Sequence, residues 1–239
     1  MNPTNSNSFH RYPSIVGIAL ILLLCCPLSS AGNQNALTIL VFGDSLSAGY
    51  GIKKEESWAY LLQQKLEQEA VFHDLRVNVV NASISGETSA GGLSRLEATL
   101  ERVKPDILIL ALGANDGLRG FPVKLIEQNL EKMISMAKTR NIGILLCGIQ
   151  IPLNYGPRYT RLFEKMYLNI ASQNSLPFLP SLLGNIPLDT NLMQADLLHP
   201  NAQAQPLILE LLFPALEPLI AEQIKAPLHP QPASINPQP

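Results

Sequence analysis

Leu37-Thr-Ile-Leu-Val-Phe-Gly-Asp-Ser-Leu-Ser47 carries the reading of the fold. Its first six residues are apolar or β-branched and read as a short strand buried on both faces. Gly43-Asp44-Ser45 then supplies turn and helix-capping chemistry. Trp58, Leu61, Leu62 and Leu66 follow at helical spacing, so the stretch reads strand, loop, helix.

The same alternation continues along the chain. Val77 to Val80 predicts a second strand, and Leu93, Leu96, Leu100 and Val103 fall on one face of a helix. Ile107 to Leu112 is a third strand, and Pro122 suits the start of a helix whose buried stripe is Ile126, Leu130, Met133 and Ala137. Ile142 to Ile149 is a fourth. Leu162, Phe163, Met166, Tyr167 and Ile170 form another helical stripe, and Pro177 to Pro180 leaves room for a short fifth strand. Asn201 to Ile224 is expected to be a helix that Pro206, Pro214 and Pro218 interrupt or kink. Right-handed crossovers between such strands put helices on both faces of a parallel sheet, which predicts a three-layer, flavodoxin-like α/β/α sandwich.

Both ends read differently from this domain. His10 and Arg11 precede an apolar run from Ile15 to Cys26, and the small residues Ser29, Ser30 and Ala31 follow, so residues 1–31 are expected to be a signal peptide cleaved after Ala31. The run is shorter than the roughly 20 residues of a spanning helix, which ranks an uncleaved anchor lower. Lipidation at Cys25 or Cys26 also ranks lower, because Leu24 and Cys25 are not the small residues expected before a processed cysteine. Export, most simply to the periplasm, is the expectation. Residues 226–239 hold five prolines and no apolar periodicity and read as a disordered tail, leaving 32–225 as one domain.

Charge and cysteine content narrow the partners. A net charge of -2 offers no basic stripe for a phosphate backbone, so a small molecule is expected and nucleic acid is not. Without the signal, Cys147 stands alone within an apolar run, where a buried structural thiol is expected rather than a nucleophile or a disulfide.

Ligands of such sheets bind at the carboxyl ends of the strands, near the point where strand order reverses. There the sequence places Gly43-Asp44-Ser45-Leu46-Ser47, Asn81-Ala82-Ser83-Ile84-Ser85-Gly86 and Gly113-Ala114-Asn115-Asp116-Gly117, with Asp196-Leu197-Leu198-His199-Pro200 near the last helix. Each alone is ordinary turn or cap chemistry. Together they form a set. His10 lies in the signal, His229 in the tail and His73 in a polar stretch, so only His199 is placed to act as a base on Ser45, with Asp196 fixing its tautomer. The main-chain N–H groups of Ser45 and Gly86 and the Asn115 amide are candidate oxyanion donors. Gly-x-Ser-x-Gly is absent, so this is not the nucleophile elbow of the α/β-hydrolases.

At these residues the chain resembles the SGNH, or GDSL, hydrolases, whose four blocks match Gly43-Asp44-Ser45-Leu46, Gly86, Gly113-x-Asn115-Asp116 and Asp196-x-x-His199-Pro200. Phe42 to Tyr50, Asn81 to Gly86, Asn115 to Phe121 and Asn154-Tyr-Gly156 are similar to the family's bacterial periplasmic thioesterases, lysophospholipases and arylesterases. The resemblance spans Leu37 to Ile224. It implies a monomeric hydrolase without metal or cofactor, acting on acyl esters and thioesters and touching lipid transiently.

Asp44, Leu118, Phe121 and Ile151 are the expected substrate contacts, with 117–122 as a lid hinged at Gly117 and Gly120. A sugar O-deacetylase of the same family is the nearer alternative, and a non-catalytic flavin- or ligand-binding module is the alternative of another class. No His-Glu-x-x-His or Cys-x-x-Cys points to a metal, and Gly86-x-x-x-x-Gly91-Gly92 lacks the lysine of a phosphate loop. Asn81-Ala82-Ser83 is a formal glycosylation sequon, but a glycan beside the candidate site would obstruct it.

Overall fold

The structure, a computed structural model, describes Met1, residues 36–69 and residues 76–225. The expected signal peptide, the Pro-rich tail, His10, His73 and His229 lie outside the described residues. All described residues except Met1 belong to one compact unit, Asn33–Pro239.

Among the described residues, five parallel strands form the sheet: β1 Ala36–Gly43, β2 Arg76–Asn81, β3 Ile107–Ala111, β4 Gly143–Cys147 and β5 Phe178–Leu179. Their order is β2-β1-β3-β4-β5, the flavodoxin-like order expected from the alternation. Register pairs Val41 with Asn81 on one side of β1, and Val41 with Ile109 and Gly43 with Ala111 on the other. Ile39, Leu40, Val41, Phe42 and the whole of β3 are buried, because helices cover both faces of these central strands. Burying each such side chain contributes about 1.5–3 kcal/mol before the entropy of ordering it is charged.

Among the described residues, seven α-helices connect and flank the strands: α1 Ser45–Ala48, α2 Trp58–Gln68, α3 Ser89–Val103, α4 Ala114–Leu118, α5 Val123–Lys138, α6 Pro157–Asn174 and α7 Gln205–Lys225. Helices α2 and α7 pack together on one side, while α3, α5 and α6 pack in sequence on the other. Thus the chain leaves β1 toward β2 on one side and later returns past β1 to β3. That reversal puts the ends of β1 and β3 side by side, the position at which sheets of this kind bind ligands.

Two helical expectations change. Leu162 is 49% exposed, because the buried stripe of α6 runs Thr160, Phe163, Met166, Tyr167 and Ile170 and Leu162 lies about 100° round the helix from Phe163. Helix α7 also continues through Pro214 and Pro218 instead of being interrupted by them. Each proline forgoes one main-chain hydrogen bond, and the burial of Leu212, Leu216, Leu219 and Ile220 outweighs that loss. Pro206 sits in the first turn, where no N–H partner exists to lose. Among the described residues, no helix is long and apolar enough to cross a membrane.

Candidate active site

At the end of β1 the chain turns through Asp44, whose side chain caps α1 by accepting from the Leu46 N–H at 3.1 Å. Ser45 is therefore the first residue of a short helix, half-buried at the carboxyl edge of the sheet. The Trp58 indole N–H donates to Leu46 O at 3.1 Å and fixes this turn on α2.

His199 reaches Ser45 from the far end of the chain. Its Nε2 lies 2.9 Å from Ser45 Oγ, and its Nδ1 lies 2.7 Å from Asp196 Oδ2. Asp196 Oδ1 also accepts from the main-chain N–H groups of Leu198 and His199, both at 3.0 Å. A carboxylate facing two main-chain N–H donors and an imidazole stays ionised: the His199 contact, aided by those N–H groups, holds its carboxyl down at about 2. An ionised Asp196 accepts from Nδ1–H and leaves Nε2 free to accept the Ser45 proton, which assigns the tautomer.

Asn115, at the end of β3, binds the other two loops together. Its Nδ2 donates to Glu87 O at 3.0 Å and to Asp44 Oδ2 at 3.4 Å, so it stands between the neighbours of Gly86 and Ser45. The longer bond is the weaker and the one a developing oxyanion can displace. Gly86 is exposed, and a Cβ there would meet nothing within 4 Å; its φ of +81° is what favours glycine, rather than the close approach of another group.

The expected substrate contacts separate into two groups. Leu118 and Phe121 are half-buried, with Phe121 resting on the core. Asp44 and Ile151 are buried, Asp44 completely. Gly117 lies inside α4, where an added Cβ would approach Ile151 to 2.7 Å and Phe163 to 2.9 Å. It is small to fit, not to bend. Tyr155 and Tyr159 donate their hydroxyl protons to Leu118 O at 2.9 Å and Phe121 O at 2.6 Å, so the 117–122 segment is tied down at two points in this structure.

Sequence reasoning missed the supports of these loops. Asp116, nearly inaccessible, accepts from both the N–H and the hydroxyl of Ser89 at 2.7 Å, and Asn129 donates to that hydroxyl at 3.0 Å. Together they fix the loop bearing Asn115 to the start of α3. Glu87 pairs with Arg95, whose guanidinium lies 3.9 Å over the Phe42 ring. Cys147 is buried, and burial pushes its thiol up to about 12, which removes it as a nucleophile.

Residues 41–206 match the GDSL-like Lipase/Acylhydrolase family. The chain belongs to this family. It is 44% identical over 203 residues to the esterase TesA of Pseudomonas aeruginosa, covering 84% of this chain and 99% of that protein. It is 40% identical over 183 residues to thioesterase 1/protease 1/lysophospholipase L1 of Escherichia coli, covering 77% and 85%. The crystal structure of the psychrotrophic esterase EstA from Pseudoalteromonas sp., inhibited by monoethylphosphonate, superposes with a TM-score of 0.71 at 42% identity, covering 77% of this chain and 98% of that one. Asp44, which precedes Ser45 in the capping turn, offers a physical test of how that turn is buried.

Burial, only partly offset by the Leu46 N–H, raises the Asp44 carboxyl from 3.8 to about 7. An acid whose pKa is higher folded than unfolded keeps its proton preferentially in the fold, so its ionisation opposes folding. Its contribution is intact below pH 4 and lost as pH rises to about 7. The loss is roughly 4 kcal/mol for a shift of this size. Asp44→Asn cannot ionise, so stability relative to wild type should rise by a few kcal/mol between pH 4 and pH 8, whatever constant offset the amide introduces. Denaturant titrations at both pH values measure this difference, and equal offsets at the two would refute it.

Proposed function

We propose that the protein is an exported serine hydrolase that cleaves acyl esters and thioesters through Ser45, His199 and Asp196. The observation that carries this reading is the unbroken relay from Ser45 Oγ to His199 Nε2 at 2.9 Å and from His199 Nδ1 to Asp196 Oδ2 at 2.7 Å. It needs a nucleophile, a neutral base and an ionised orienter in one line, and a binding module has no use for such a line.

The chemistry follows from those positions. Ser45 Oγ bonds to the acyl carbon as its proton passes to His199 Nε2, and the carbonyl π electrons move onto oxygen. The Asn115 amide and the N–H groups of Ser45 and Gly86 stabilise that oxyanion. The oxyanion collapses, the bond to the alcohol or thiol breaks, and His199 returns the proton to the leaving group. Water, deprotonated by His199, then attacks the acyl-Ser45 ester; the bond from the acyl carbon to Ser45 Oγ breaks, His199 returns the proton to Ser45 Oγ, and the acid is released.

Apolar side chains around the relay favour an acyl substrate over a sugar acetate. Tyr50, Ile84, Leu197 and Leu198 are exposed next to site residues, and Leu118 and Phe121 follow Asn115. Aryl esters, acyl-CoA and lysophospholipids fit this description, as do the activities named for the relatives. Export rests on the signal-like segment 1–31.

A panel of p-nitrophenyl esters and acyl-CoAs of increasing length, run beside an acetylated sugar, tests the substrate class. Each added methylene should improve kcat/KM by up to about fourfold, the equivalent of roughly 0.8 kcal/mol, until the groove is full. Preference for the acetylated sugar over every longer acyl ester would replace this reading with the deacetylase.

A further inference from the structure

Asp196 and His199 share one short turn, so their contact is set locally. The contact between His199 and Ser45 joins residues 154 positions apart and needs a long-range support. We propose that Gln194 supplies it, as a positioning residue that sets the register of His199 on Ser45. This proposal rests on the catalytic reading of Ser45 and His199 given above.

The amide of Gln194 spans the two turns. Its Nε2 donates to Tyr50 O at 2.7 Å and to Pro200 O at 3.1 Å. Tyr50 is on the Ser45 side, since its own N–H donates to Ser45 O at 3.4 Å just beyond α1. Pro200 follows His199 directly. The main chain of Gln194 holds the same turn from below, its N–H donating to His199 O at 2.8 Å and its carbonyl accepting from Leu197 N–H at 2.9 Å. Met193 and Pro200 pair as an antiparallel bridge around it.

The Ser45 side is shaped to receive this amide. Gly51 has φ of +74°, a conformation that favours glycine, and a Cβ there would displace the Gln194 amide from its present position. Tyr50, placed by the same contact, lays its ring 4.6 Å from the His199 ring, centroid to centroid, at 43°. Removing the two N–H bonds would free the His199 turn to drift from Ser45. Displacement of a reacting group by about 1 Å can cost on the order of a hundred-fold in rate.

Gln194→Glu tests this directly, because it keeps the length of the side chain but replaces the donor with a carboxylate facing two carbonyl oxygens. Gln194→Met, which has the length and no N–H, takes its place if the charged variant fails to fold. Both are assayed well below their melting temperatures, on acetyl and octanoyl p-nitrophenyl esters, beside Ser45→Ala. The expected result is a kcat roughly ten- to a hundred-fold lower on both esters, with KM within about twofold of wild type. A kcat within twofold of wild type, or a change in KM alone, would overturn the clamp while leaving the triad standing if Ser45→Ala is inactive. An active Ser45→Ala would overturn both.

Discussion

Ser45→Ala and His199→Ala should each lower kcat by something on the order of a million-fold, with the double mutant little worse than either. The non-additivity is the informative part. In the proposed mechanism Ser45 Oγ passes its proton to His199 Nε2, 2.9 Å away, so removing either partner disables the same step. What survives is the oxyanion site and substrate binding, whose residual catalysis does not depend on the relay. Asp196→Ala should cost less. His199 keeps its main-chain bond to Gln194 and its ring contact with Tyr50 when the carboxylate is gone, though the tautomer is then no longer fixed. Single-turnover and steady-state rates on one p-nitrophenyl ester measure all four variants, and more than a few per cent of activity in Ser45→Ala would remove Ser45 as nucleophile.

Asn115→Ala should lower kcat by about a hundred- to a thousand-fold with little change in KM. The carbonyl oxygen of bound substrate carries only a partial charge, whereas the tetrahedral intermediate carries a full one. A donor aimed at that oxygen therefore acts mainly in the transition state. Asn115 is half-buried between Glu87 O and Asp44 Oδ2, a position that fixes the amide before substrate arrives and spares the cost of orienting it during reaction. A variant weakened only in KM would make Asn115 a ground-state contact instead.

The strands were legible because central parallel strands, covered on both faces, must be continuous apolar runs, and Leu37 to Phe42 and Ile107 to Leu112 are such runs. The polar loops that follow them were legible for the complementary reason: Ser45 and Asn115 stand out where the chain leaves an apolar strand, while His199 stood out because the other three histidines lie in the signal-like segment, the tail and a polar stretch. What could not be read is what depends on distant partners. Gln194 meets Tyr50 from 144 positions away, and nothing local marks it off from any other surface glutamine. Asp44 looked available to substrate, yet its own role as a cap turns it inward and buries it. Gly117 looked like a hinge because glycine permits bending, and only the side chains of Ile151 and Phe163 reveal that it is there for space. The prolines of α7 pointed to an interruption or a kink, and the helix is not interrupted because the burial of its apolar face outweighs the lost main-chain bonds.

The account turns on one reactive hydroxyl, and stoichiometric labelling by an alkyl p-nitrophenyl phosphonate tests it most directly. The phosphonate accepts the Ser45 oxygen as an ester carbonyl would and expels p-nitrophenolate, but the product cannot be turned over readily. Peptide mass analysis should find one equivalent of label, on Ser45, with loss of activity in proportion to labelling and no labelling of His199→Ala on the same timescale. Full inactivation with the label on another residue, or labelling of Ser45 that proceeds equally fast without His199, would contradict it.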